Sequence, residues 1–253
     1  MVIVINPFVS FPSGAGFDSD YQAVLDYATT QGYTLPSASQ QTIQNQLVLD
    51  LKTAGAWSNI DVLYVFATDG DADFALINWK DPASLEAVNV GCTFTANEGY
   101  DGAGSSANRI TTGYRPTVFL GNFVDLDCSF GTWLFDGGTV NTQYIIGDFS
   151  RNLLRADGVM RIQAPLTQVN VLPTSGWVSV ERNSSTNFEF NFNGVITLDS
   201  ANSTTPIDNE DFDLLNRANQ NVGTDACMSF FYAGAYFGDN SVYNAVNTYM
   251  SNI

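Results

Sequence analysis

Histidine is absent from this 253-residue chain, and with it the imidazole on which Ser-His-Asp and Cys-His nucleophile systems depend. Histidine-ligated metal centres are excluded for the same reason. Carboxylates remain for acid–base work, with 26 Asp and Glu residues in the sequence. Hydrolysis of a glycosidic bond needs two carboxyls about 5 to 9.5 Å apart across a cleft. The glutamates are Glu86, Glu98, Glu181, Glu189 and Glu210, and none pairs at the E-x-D-x-x-E spacing that sets two acids on one strand. No enzyme is expected, and no catalytic residue is assigned. Asp69-Gly70-Asp71-Ala72-Asp73 begins like a calcium loop, but an EF-hand needs glycine at its sixth position and glutamate at its twelfth. Phe74 and Lys80 stand there, so the segment reads as an acidic, solvated turn. Asp208-Asn209-Glu210-Asp211 with Asp213 reads the same way. The glycines from Gly99 to Gly104 lack the Lys-Ser/Thr ending of a phosphate loop and precede a strand. No metal and no cofactor are expected.

Sugars stack on aromatic faces, and Tyr100, Tyr114, Trp133 and Trp177 lie near predicted loops. With 13% aromatic residues, most rings in a β protein fill the core. Tyr100, in the glycine-rich loop, and Trp133 are the two candidates for an exposed ligand-binding ring. The formal charge of −17, with nine Lys and Arg in all, repels a phosphate backbone and an anionic membrane alike. Nucleic acid and membrane insertion are therefore not expected. Acidic residues are scattered from Asp18 to Asp239, which suits solubility. Cys92, Cys128 and Cys227 are odd in number and far apart, so a disulfide framework and a zinc knuckle are both disfavoured. They are expected to be free and buried.

Hydrophobic periodicity divides the chain into three parts. Residues 1–17 hold Val2, Ile3, Val4, Ile5, Phe8, Val9 and Phe11 with no charge before Asp18. This is expected to be an extended assembly arm, suited to strand addition on a neighbouring subunit. Residues 18–58 form a helical preface. Asp18 or Ser19 caps a helix over 19–31 that buries Tyr21, Val24, Leu25 and Ala28 and stops at Gly32. Ser37 and Gln40 open a second helix, about Ser39 to Ala54, with Ile43, Leu47, Leu51 and Ala54 as its stripe. From residue 59 the period changes to that of short strands between Gly, Asn, Asp and Pro turns, which indicates a sandwich or jelly roll. The clearest hairpin spans Phe188 to Ile196 around Asn193-Gly194, a type I′ turn. A core strand near Ala226–Ala235 and a last helix from about Asn240 close the domain over 59–253.

Within that domain Gly99 to Pro116 reads GYDGAGSSANRITTGYRP, preceded by Asn78-Trp79-Lys80-Asp81-Pro82. It is followed by Arg182 through Asn193-Gly194 and then by the aromatic strand and helix. This ordered series resembles the concanavalin A-like (laminin-G-like) jelly rolls of bacteriophage virion proteins over about residues 18 to 253. The resemblance implies a mainly β, antiparallel jelly-roll sandwich flanked by the helical pair and the C-terminal helix. It also implies a virion structural protein of the tail or capsid surface, working by assembly and adhesion. Other virion proteins, copies of the same chain and a host surface glycan would be its partners. A lectin-like receptor module is the alternative function, with a glycanase behind it. The N-terminal apolar run is too short for a signal peptide and lacks a basic region. Synthesis in a host cytoplasm and incorporation into a virion are thus expected.

Overall fold

The computed structural model describes residues 16–139, 143–148, 152–162, 167–168, 174–200, 210–217 and 222–253. Two helices come first, α1 (Ser19–Gln31) and α2 (Ala38–Thr53). Strands β1 (Ile60–Val65), β2 (Val88–Val90), β3 (Thr93–Thr95), β4 (Gly99–Asp101) and β5 (Arg109–Thr111) follow. A short helical turn, α3 (Pro116–Phe119), leads to β6 (Cys128–Asp136), β7 (Tyr144–Gly147), β8 (Asn152–Arg155) and β9 (Val159–Ile162). After β10 (Thr167–Gln168) come β11 (Gly176–Arg182), β12 (Asn187–Phe192), β13 (Val195–Ser200) and β14 (Asp213–Leu214). Strand β15 (Cys227–Gly234) and helix α4 (Ser241–Met250) end the chain's regular structure.

The strands form two antiparallel sheets packed as a sandwich, with the helical pair and the C-terminal helix beside it, as the sequence leads one to expect. The eight-stranded sheet runs β13-β12-β11-β6-β15-β4-β3, with β1 also paired to β15. The seven-stranded sheet runs β10-β9-β8-β7-β14-β5-β2. One apolar core lies between the sheets, built on Phe130, Leu134, Ile146, Leu154, Met160, Val178, Phe212 and Phe231. A second lies on the opposite face of the eight-stranded sheet, where Leu63, Trp177, Phe230 and Tyr232 meet α1, α2 and α4 through Val24, Leu47, Val246 and Tyr249. That sheet is therefore covered on both faces, which is why β1 and β15 carry nearly continuous apolar runs.

Local signals set the boundaries. Asp18 accepts the Asp20 amide as N-cap of α1, and Gly32 closes it in the left-handed region at φ 81°. Ser37 accepts the Gln40 amide at the start of α2. The buried face of α2 is Gln40, Gln44, Leu47, Val48 and Leu51, whereas Ile43 is only half-buried and Ala54 is exposed. The expected stripe was thus rotated, because two glutamines are buried where aliphatic residues were sought. Gln44 accepts from the Tyr21 hydroxyl at 2.7 Å and donates to Thr68 Oγ1 at 3.1 Å, so its burial is compensated. Pro116 begins α3 and leaves Arg115 extended at φ −121°, ψ 107°. No helix among the described residues is long and apolar enough to cross a membrane. Val2, Ile3, Val4, Ile5, Phe8, Val9 and Phe11 of the expected arm lie outside the described residues.

Candidate functional site

Strands β7, β8 and β9 form a meander in which Ile146, Leu154, Met160 and Ile162 enter the core between the sheets. Strand alternation then places Arg155 and Arg161 on the outer face of the seven-stranded sheet, and the irregularity in β7 between Tyr144 and Ile146 lets Tyr144 join Arg155 there. Tyr144 stands opposite Arg155 across β7 and β8. Arg217, just beyond β14, joins them. Its guanidinium carbon lies 4.9 Å from the Tyr144 ring centroid, and that of Arg155 lies 5.8 Å away. Arg217 Nη1 donates to the Tyr144 hydroxyl at 3.0 Å and its Nε donates to the Asp148 carbonyl at 3.2 Å. Asp148 is fixed in turn, accepting from the Asn152 amide at 2.9 Å and from Asn152 Nδ2 at 2.6 Å. Arg155 pairs with Asp157 in the β8–β9 turn.

Gly147 makes this arrangement possible. A Cβ there would meet Arg217 Cγ at 3.0 Å and Cβ at 3.3 Å, so the missing side chain lets the arginine lie against the sheet. Next along the sheet, Asp213 stands opposite both Gly147 and Thr111. Burial pushes its carboxyl up to about 6, against the opposing pull of the Thr111 hydrogen bond and of Arg109. The Arg109 Nε lies 3.8 Å from it. Four of the chain's nine cationic residues (Arg109, Arg155, Arg161 and Arg217) thus sit on or beside five adjacent strands of one sheet in a chain of net charge −17. Planar guanidinium forks oriented by a phenol and a carbonyl suit vicinal hydroxyls or a carboxylate.

A second polar group lies on the helix-covered face of the other sheet. Glu181 and Glu189 stand directly opposite each other on β11 and β12. Glu181 is buried, and its Oε2 accepts the amides of Phe237 and Gly238, both at 3.0 Å. Burial pushes its carboxyl up to about 7, with Glu189 and Asp239 adding to the rise and the two amides opposing it. Glu189 accepts from the Tyr236 hydroxyl. Both acids therefore anchor the link between β15 and α4.

Tyr100 belongs to the core between the sheets, fully buried, with its hydroxyl donating to the Ala72 carbonyl at 2.6 Å. It has no face for a ligand, which corrects the expectation of an exposed ring. Its strand β4 is internal, and Phe66 and Phe94 pack on its ring. Trp133 is partly buried on the helix-covered face, opposite Trp177 of β11 and Phe230 of β15. Tyr114 and Trp177 are buried. The aspartates of the calcium-like segment bind backbone instead. Asp69 accepts the Ser37 amide at 2.9 Å, and Asp71 accepts those of Thr34 at 2.7 Å and Phe74 at 2.8 Å. No group of three or more Asp, Glu, Cys or His among the described residues could hold a metal ion. The three cysteines are free and buried. Tyr144, Arg155, Arg161 and Arg217 were missed because cations spread from position 155 to position 217 show no motif. The available signal was three arginines, Arg151, Arg155 and Arg161, within eleven residues of an acidic chain.

No family model matches the sequence, and no curated protein matches it. Solved structures do. The receptor binding domain of botulinum neurotoxin D aligns with a TM-score of 0.51 at 10% identity, covering 77% of this chain and 53% of that one. A Trypanosoma rangeli sialidase in complex with 2,3-difluoro-KDN aligns with a TM-score of 0.51 at 7% identity, covering 83% and 39%. The chain thus spans about half the length of the toxin domain and less than that of the sialidase. At such identities the likeness is one of fold.

Proposed function

We propose that this chain is a non-catalytic carbohydrate-binding module whose ligand rests on the outer face of the seven-stranded sheet. The observation that carries the reading is the packing of Arg155 and Arg217 about Tyr144, built over Gly147, with Arg161 on the neighbouring strand β9. Guanidinium groups already oriented by Tyr144 and Asp148 lose little freedom on binding, so their hydrogen bonds to sugar oxygens count more fully. The fold supports the reading, since the similar toxin domain is by description a receptor binding domain. Buried Glu181, already occupied by two backbone amides, supports a binding role over a hydrolytic one. Adhesion on a bacteriophage virion is the finer part of the proposal and rests on the sequence resemblance.

A glycan array carrying neutral and acidic oligosaccharides tests it, with reducing-end release measured on every glycan bound. Binding without turnover is expected, weakened at least ~10-fold by Arg217→Ala through the loss of charge-assisted hydrogen bonds. An array with no bound glycan would overturn the reading. Release of reducing ends would replace it with a glycanase.

A further inference from the structure

The sandwich has five sheet edges among the described residues, and they are unequal. Three are blunted by length, since β10 has two residues and β2 and β3 have three each. The outer side of β1 is covered, since the Leu63 carbonyl accepts the Trp79 amide at 2.8 Å and the Leu63 amide donates to Asn78 Oδ1 at 3.1 Å. The fifth, β13, has six residues and pairs only with β12. Edge strands are commonly guarded by lysine, proline or a bulge, because their unpaired N–H and C=O groups invite another strand. None of these guards occurs in Val195-Ile196-Thr197-Leu198-Asp199-Ser200, whose register with β12 is unbroken. Its side chains are apolar on both faces. Val195 is 66% exposed, Ile196 36% and Leu198 69%.

The hairpin geometry fixes which backbone groups face outward. A two-residue turn makes Phe192 and Val195 the closing hydrogen-bonded pair, so Val195, Thr197 and Asp199 bond to β12. The N–H and C=O groups of Ile196 and Leu198 then point away from the sheet. The edge is also held in place. Asn193 Oδ1 accepts the Trp177 amide at 2.7 Å, and Asn240 at the start of α4 donates to the Gly194 carbonyl at 2.9 Å. A preformed edge loses less freedom when a partner arrives.

We propose that β13 is the dimerisation edge of this protein, and that its partner is β13 of a second copy, joined antiparallel about a two-fold axis through Thr197. In that register Ile196 faces the partner's Leu198 as a hydrogen-bonded pair, and the axis repeats the pair. Thr197 faces the partner's Thr197 and Asp199 faces the partner's Val195, so no carboxylate stands opposite another. The two eight-stranded sheets become one continuous sheet, and Ile196 and Leu198 of the two copies pair as apolar side chains on one face. This interface is separate from the arginine cluster, which lies on the other sheet, and does not depend on the function proposed for that cluster.

Sedimentation of the full-length protein over a range of concentrations tests the assignment. A dimer is expected, strengthened at higher salt because each copy carries −17. Leu198→Pro removes an outward N–H while leaving the bonds to β12. Leu198→Lys adds a charge at the edge and faces Glu189 within its own hairpin. Both variants should keep the wild-type unfolding midpoint and weaken the dimer at least ~10-fold. Should either lower the midpoint, Ile196→Lys at the same edge provides the reading. A wild-type chain that is monomeric at every concentration overturns the proposal, as does a dimer that survives both Leu198 variants. So does an oligomer lost in the full-length Ile3→Lys/Ile5→Lys variant but kept in Leu198→Lys, which would make the N-terminal segment the partner strand.

Discussion

Glu181 gives the protein a pH dependence whose sign follows from its surroundings. Burial lifts its carboxyl from the ordinary 4.5 to about 7, and Asp213 rises from 3.8 to about 6 for the same reason. An acid with a higher pKa folded than unfolded holds its proton more tightly in the folded state. Its contribution is greatest below the unfolded value and is lost as pH rises through the folded one. Thermal stability should therefore fall between about pH 4 and pH 7, by on the order of 2 kcal/mol for Glu181. Charge repulsion in an acidic chain acts in the same direction, so the comparison that isolates the residue is Glu181→Gln. Its amide oxygen can still accept from Phe237 and Gly238, and its unfolding midpoint should vary less with pH than that of the wild type. Equal slopes would show that Glu181 is ionised when folded. None of this was legible from the sequence. Glu181 and Glu189 are eight positions apart, and only the β11–β12 register sets them face to face. The arginine cluster was hidden likewise, since β14 brings Arg217 beside strands some sixty residues earlier.

At the scale of elements the sequence was far more explicit, because caps and turns are local. Asp18, Gly32 and Ser37 stand where α1 and α2 begin and end. Asn193 and Gly194 have φ of 47° and 86°, the two positive values that a type I′ turn requires. The structure adds a contact that local reasoning could not supply. A Cβ at Gly194 would lie 2.5 Å from the Tyr243 ring of α4. Gly194→Val should therefore cost about 2 kcal/mol or more, from backbone strain and from displacing Tyr243 together. A double-mutant cycle with Tyr243→Ala separates the two, since only the steric part is relieved. An unchanged unfolding midpoint in Gly194→Val would count against both the turn and the docking of α4. The buried face of α2 was misjudged for a related reason. Gln40 and Gln44 look like solvent-facing residues until Asn97, Thr68 and Tyr21 are brought to them.

Taken whole, the molecule is three layers deep: helices, the eight-stranded sheet and the seven-stranded sheet, with the middle layer sharing both cores. Such an arrangement is unevenly stable, firm where β6 and β15 are flanked on both sides and weaker where short strands end a sheet. The three cysteines sample that gradient. Cys128 starts β6 and Cys227 starts β15, whereas Cys92 lies between β2 and β3, the short edge strands of the two sheets. Burial pushes the thiols of Cys92 and Cys227 up to about 12 and that of Cys128 well above its ordinary value. Folded, none presents the thiolate that reacts, so each must wait for an opening that exposes it. Three thiols per chain should titrate in denaturant without reductant, as free cysteines require. Under native conditions Cys92 should label first, through local opening of β2 and β3. Cys128 and Cys227 should follow together at the slower rate of global unfolding. Peptide mapping of a labelling time course distinguishes the sites. A single common rate for all three would show that the edge strands open only with the whole sandwich, and fewer than three thiols in denaturant would reveal a disulfide.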